Sequence, residues 1–206
     1  MSRIASYAII PCLKYKGMPY FCSMILPITQ YGDPVLRKMC TDITADYPDL
    51  KKLIANMFET MYAASGVGLA APQVGYPIRL FVVDAEPLDE EKLKGFKKVF
   101  INARIKKEDG EKWPFNEGCL SIPGIREDVS RKEKITIEYY DEHFNKHIEE
   151  YDGKAARVIQ HEHDHIDGKM FVDYLTPLKR EMLKSRLNDI TKGRADVDYK
   201  IKVPRR

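Results

Sequence analysis

The sequence has few cysteines, no long hydrophobic run and little net charge, and each absence excludes a class of protein. Its four cysteines are irregularly spaced, which argues against a disulfide framework and favours a reducing compartment. No segment approaches the roughly 20 consecutive apolar residues of a membrane-spanning helix, so no membrane partner is expected. A formal net charge of +3 over 206 residues is too small to indicate nucleic-acid binding by the whole chain.

The composition predicts one folded domain. A chain of 206 residues is long enough to bury a substantial core, and 44% hydrophobic with 32% charged residues is ordinary for a globular protein. No internal repeat suggests a second domain.

The most informative string is QHEHDH at 160–165, which contains an HExxH motif. Residues four apart lie on the same face of an α-helix, so His161 and His165 would point together at one divalent metal ion. Glu162 could then act as general base on a water at that ion. His163 lies about 160° from His165 around the helix, so we expect no ligand role for it.

A chance match on a charged, solvated helix is the alternative. An apolar row through Ala155, Val158 and Ile159 runs into the motif, which places it on a core-facing stripe. Because buried imidazole and carboxylate groups need partners, this placement favours the metal site.

A hydrolytic metal site usually has three protein ligands, and no histidine follows His165. His143 and His147 lie in an expected hairpin. The remaining candidate is Cys119, in the string EGCLSIPG at 117–124, where glycines and proline constrain the backbone around one thiol. Taken alone, this cysteine is better explained as a small buried apolar side chain.

A third string, GVGLAAPQVG at 66–75, follows a helical pattern and precedes an apolar run. Together and in this order, Gly66–Gln73, Glu117–Ser121 and Gln160–His165 resemble the GxGLAAxQ, EGCLS and QHExDH elements of the peptide deformylase family. The resemblance extends from about Ile25 to the helix near Ile190.

The resemblance implies a metal held by Cys119, His161 and His165, with a water or hydroxide in the fourth position. Glu162 would take a proton from that water, which attacks the formyl carbon of N-formyl-Met at the start of a nascent peptide, and pass it to the leaving amine. Formate would be released. Thiolate and imidazole suit iron and zinc alike; the family implies ferrous iron, with zinc or nickel as alternatives.

The resemblance also assigns residues to the substrate. The Gln73 side chain and the backbone N–H of Leu120 would stabilise the oxyanion. The backbone of Gly66, Val67 and Gly68 would pair with the peptide like an added strand. An apolar pocket for the methionine could include Phe115, Ile125 and Val158, although each is equally explained as core packing.

The periodicity predicts an α+β fold, with mixed or antiparallel strands around a central helix carrying HExxH, and a C-terminal helix. An amphipathic helix is predicted from Leu50 to Tyr62. Strands are predicted at 80–83, 99–105, 135–139 and 146–151. Thr176 and Pro177 would begin the last helix as N-cap and first residue.

The predicted boundaries are an N-terminal extension at 1–23, a catalytic domain at 24–193 and a basic C-terminal tail at 194–206. The simplest interpretation of the extension is that Met24 is the physiological start, in a bacterial cytoplasmic protein; an organelle transit peptide is the alternative. The basic helix and tail could contact the ribosome transiently, or could simply be solvated.

Two other function classes share part of the pattern. A zinc endopeptidase shares HExxH but gives no reason for Cys119 or Gln73. A non-catalytic metal- or peptide-binding relative would need neither Glu162 nor Gln73, and a structural site would be closed by a fourth protein ligand.

Overall fold

The computed structural model describes residues 24–204, and its elements confirm the α+β class. In chain order these are β1 (Ile28–Thr29), α1 (Leu50–Ala63), β2 (Gly68–Ala70), β3 (Leu80–Asp84), β4 (Lys97–Cys119), β5 (Ile122–Tyr140), β6 (Lys146–Asp152), α2 (Gly153–Ile166), α3 (Pro177–Thr191) and β7 (Ile201–Lys202). The predicted extension at 1–23 lies outside the described residues.

Five strands form an antiparallel sheet in the order β2-β3-β4-β5-β6, and β1 pairs with β7 in parallel. Strands β4 and β5 contain 23 and 19 residues, far more than the predicted segments at 99–105 and 135–139. Many charged residues are exposed in β4 beyond Ile105 and in the part of β5 that pairs with it. The pairing register shifts between Ile105 and Lys107 and between Asp109 and Lys112. This region lacks the apolar alternation by which a half-buried strand is recognised.

Strand β3 lies between two helices, because successive side chains of a strand point to opposite faces. Leu80 and Val82 belong to the cluster that contains Met57 of α1. Phe81 and Val83 belong to the cluster that contains Ile159 of α2. The first four residues of β3 are therefore fully buried, and the sheet holds α2 from one face.

The three helices agree with the predicted pattern. Helix α1 covers the predicted amphipathic segment, and every residue of α2 from Ala155 to Ile166 is buried, which makes it the central helix. Thr176 caps α3 by accepting a hydrogen bond from the backbone N–H of Lys179, and Pro177 is its first residue.

The segment after α3 pairs with strand β1, near the start of the described residues. The N–H of Ile28 donates to the carbonyl of Lys200 at 2.8 Å, and that of Gln30 donates to the carbonyl of Lys202 at 3.0 Å. Among residues 24–204, no helix is both long and apolar enough to cross a membrane.

Candidate metal centre and active-site cavity

Cys119, at the end of β4, meets His161 and His165, which lie one turn apart on α2. One ligand atom from each lies within 4.8 Å of the others, and the Cys119 Sγ is 3.3 Å from His165 Nε2. Ligands about 2.0–2.3 Å from a tetrahedral ion are separated by about 3.3–3.8 Å. Both the spacing and the chemistry of these donors therefore fit one divalent ion.

Glu117 orients the first histidine. His161 Nδ1 lies 2.9 Å from Glu117 Oε2, so with Nδ1 as donor the Nε2 lone pair is left for a metal. Arg131 and Arg157 donate to the same carboxylate. Burial would raise the pKa of Glu117, but hydrogen bonds from His161 and Arg131 hold it well below its ordinary value. Glu117 is therefore a buried anion between three donors.

Glu162 follows the first ligand and is 4% exposed. Its Oε2 is buried and has no hydrogen-bond partner among residues 24–204. A Cβ atom added to Gly68 would lie 2.5 Å from Glu162 Oε1, so glycine is the residue that leaves room for this carboxylate. Burial raises the pKa of Glu162 to about 7, which suits a group that accepts and returns a proton near neutral pH.

Gln73 supplies a hydrogen-bond donor beside the candidate metal-ligand cluster, close to the turn after Cys119. Gln73 Oε1 accepts from the N–H of Ala70 at 2.8 Å, which fixes the orientation of the amide. Its Nε2 then lies 3.4 Å from Cys119 Sγ and 3.3 Å from Ser121 Oγ. Leu120 and Ser121 form the two-residue connection between β4 and β5.

A cavity of about 670 Å³ opens beside these groups. Cys119, His161, Glu162 and Gln73 line it, whereas His165 does not. The predicted substrate-binding segment Gly66–Gly68 lies along the wall, and so do the three apolar candidates Phe115, Ile125 and Val158. Strand β2, which begins at Gly68, is an edge strand of the sheet.

Other predicted positions lie away from the cluster. His163 is buried, and its Nε2 is 3.3 Å from Arg79 Nη2. In the predicted hairpin, His143 lies in the turn between β5 and β6, and His147 lies at the start of β6, where its Nε2 is 2.9 Å from Asp141 Oδ2.

Four residues that contact the site had no role predicted from the sequence: Glu117, Arg131, Arg157 and Tyr199. Arg157 had a detectable signal, because it precedes His161 by four residues on a helix whose neighbouring positions are apolar. Tyr199 had none. It belongs to the 196–199 segment that lines the cavity, and its hydroxyl donates to the carbonyl of Leu120 at 2.7 Å.

Comparison with known proteins gives a consistent result. A family model described as polypeptide deformylase matches residues 25–181. The chain is 60% identical to a peptide deformylase of Flavobacterium psychrophilum over 189 residues, which cover 87% of this chain and 97% of that protein. It is 51% identical to a peptide deformylase of Cytophaga hutchinsonii over 181 residues, covering 88% of this chain and 98% of that protein.

Solved structures show the same likeness. A peptide deformylase from Legionella pneumophila superposes with a TM-score of 0.73 at 38% identity, covering 84% of this chain and 100% of that one. The peptide deformylase from Thermus thermophilus gives 0.74 at 40% identity, covering 82% and 99%.

Proposed function

The chain belongs to the peptide deformylase family, and from that premise we propose how its own residues carry out the reaction. The protein is a hydrolase that removes the N-formyl group from nascent peptides. The alternatives of a zinc endopeptidase and of a non-catalytic relative are therefore rejected.

We place one divalent ion among Cys119, His161 and His165. When bound, such an ion supplies Lewis acidity to a water molecule and to the formyl carbonyl. We propose ferrous iron as the physiological ion, as the family resemblance implies. A thiolate with two imidazoles also suits zinc and nickel, which are the alternatives. Metal analysis of protein purified without oxygen tests this choice, and a zinc-loaded protein with full activity would contradict it.

Glu162 is the proposed general base and acid. It takes a proton from the attacking water and gives it to the amine that leaves as the formyl C–N bond breaks. The observation that carries this role is a buried carboxylate with an unpartnered oxygen, immediately beside the three metal-ligating side chains and open to the cavity.

Gln73 and Leu120 are the proposed oxyanion donors. The Gln73 amide is held with its N–H₂ group toward Cys119, and Leu120 directly follows that residue. Donors held in place before the reaction stabilise charge on the formyl oxygen without reorganising.

The substrate is proposed to lie along Gly66–Gly68 and to extend the sheet at the β2 edge, since an edge strand offers unpaired backbone groups to an extended peptide. The methionine side chain would contact Phe115, Ile125 and Val158, which supply apolar surface to the same cavity.

The test is formate release from a formyl-Met tripeptide by protein handled anaerobically and loaded with ferrous iron. Glu162→Ala is assayed beside it at equal metal content. We expect rapid release by the parent protein and a loss of several orders of magnitude in the variant. Near-parent turnover by Glu162→Ala would refute the base assignment.

We further propose transient ribosome contact through α3, within the bacterial cytoplasm. Arg180 and Lys184 are exposed and lie four residues apart, so they share a basic face of this helix. Arg180→Ala/Lys184→Ala should weaken co-sedimentation with ribosomes at low salt and leave tripeptide turnover unchanged. Unaltered co-sedimentation, or none by the parent protein, would contradict this contact.

A further inference from the structure

We propose that Tyr199 is a positioning residue for the turn at Leu120 and Ser121. Its hydroxyl holds the Leu120 carbonyl and thereby orients the Leu120 N–H for the formyl oxygen. This inference rests on the oxyanion role proposed above for that N–H group.

The carbonyl of Leu120 has one short hydrogen bond among residues 24–204. The Tyr199 hydroxyl donates to it at 2.7 Å, whereas Gln30 Nε2 lies 3.5 Å away, at the limit of hydrogen-bond length. The other carbonyl of the turn, on Ser121, accepts from the N–H of Tyr31 at 2.9 Å. Removing the Tyr199 hydroxyl therefore removes the main restraint on the first half of the turn.

The position of Tyr199 is fixed by the residues that follow it, which pair with β1. The carbonyl of Lys200 accepts from the N–H of Ile28, and Ile201 pairs with Ile28 in the β1–β7 ladder. The 196–199 segment therefore passes along the cavity wall on its way to a fixed strand. A tyrosine anchored in this way donates from a defined position and not from a freely moving chain end.

A shift of the turn would reach the reacting groups directly. The N–H and C=O of Leu120 flank the same Cα atom, so restraining the carbonyl limits the rotations that aim the N–H. Leu120 Cδ1 also lies close enough to Gly66 that a Cβ atom added there would be 2.9 Å from it. The turn therefore contacts the segment proposed to bind the substrate backbone.

The experiment compares Tyr199→Phe with the parent protein and with Tyr62→Phe. Tyr62 is a matched control because its hydroxyl also makes a short hydrogen bond, 2.6 Å to Asp84, and it does not line the cavity. We measure kcat and KM for a formyl-Met tripeptide, metal content, melting temperature and amide hydrogen exchange of Leu120.

In Tyr199→Phe we expect kcat to fall by about two- to tenfold, the equivalent of one hydrogen bond, with KM and metal content unchanged. The Leu120 amide should exchange faster, while Tyr62→Phe should match the parent protein in both readouts. Parent-like kcat in Tyr199→Phe would overturn the inference. So would a fall in kcat that accompanies metal loss or unfolding at the assay temperature, or one without faster Leu120 exchange. Absence of formate release by the parent protein would instead refute the proposed function.

Discussion

Replacing Glu117 by glutamine should destabilise the protein more than the loss of an exposed ion pair would. The carboxylate is 4% exposed and accepts from four donor atoms. Oε1 accepts from Arg131 Nε at 2.7 Å and Arg157 Nη1 at 3.0 Å. Oε2 accepts from Arg131 Nη2 at 3.0 Å and His161 Nδ1 at 2.9 Å.

The magnitude follows from what glutamine cannot replace. Its single oxygen can keep two of the four donors, and its N–H₂ group would face the other two. Of the two buried guanidinium groups, Arg131 would keep the carboxylate of Asp164, which it contacts at 2.6 Å, whereas Arg157 would keep only backbone carbonyl acceptors. Breaking a buried ion pair in this way costs about 3–5 kcal/mol. For a chain of this length that cost lowers the melting temperature by about 6–20 °C.

The same substitution should weaken metal binding, because Glu117 holds the ring of a proposed ligand. Loss of such an outer partner typically lowers metal affinity by about 10- to 100-fold. Stability is measured by urea unfolding of the metal-free protein, so that metal linkage does not contribute. Affinity is measured by cobalt(II) titration, followed through the thiolate-to-cobalt absorption band.

Glu127→Gln is the matched control. Glu127 pairs with Lys179 at 2.6 Å, but that lysine is 44% exposed, so solvent screens the pair and it should contribute little to stability. A loss of stability in Glu117→Gln no larger than in this control would refute the reasoning about the buried carboxylate. Unchanged cobalt affinity would refute its role in holding His161.

Three further predictions concern single side chains. Gly68→Ala should lower kcat by about a hundredfold at equal metal content, because the new methyl group displaces the Glu162 carboxylate; parent-like formate release would contradict this. Gln73→Leu should lower turnover by about a hundred- to a thousandfold with the metal retained. If this variant loses its metal, Gln73 has a structural role instead of the proposed oxyanion role. Burial raises the pKa of Glu149, but hydrogen bonds from two tyrosines and Lys98 lower it to about 2. A carboxylate whose pKa is lowered by folding stabilises the fold at pH values above its pKa in the unfolded chain, about 4.3 for Glu. The destabilisation by Glu149→Gln, measured by urea unfolding, should therefore shrink as the pH falls from about 4.3 toward 2. A pH-independent destabilisation would contradict this.

The sequence by itself determined what depends on local geometry. The i and i+4 spacing of His161 and His165 follows from the α-helix, and the apolar row before them showed that this helix is buried. Thr176 and Pro177 marked the start of α3 because capping is a short-range interaction. The third proposed metal ligand, Cys119, follows from elimination and from the family resemblance, not from spacing.

Only the tertiary structure decided which distant residues complete the site. The hydrogen bond from Tyr199 to Leu120 joins residues 79 positions apart, and the one from His161 to Glu117 joins residues 44 apart. Such contacts depend on how distant elements pair and pack against one another, and no local pattern encodes that arrangement. For the same reason, the sequence does not predict that the segment after α3 pairs with β1. Its basic composition is typical of a solvated tail, whereas its position follows from pairing with β1 at the other end of the described chain.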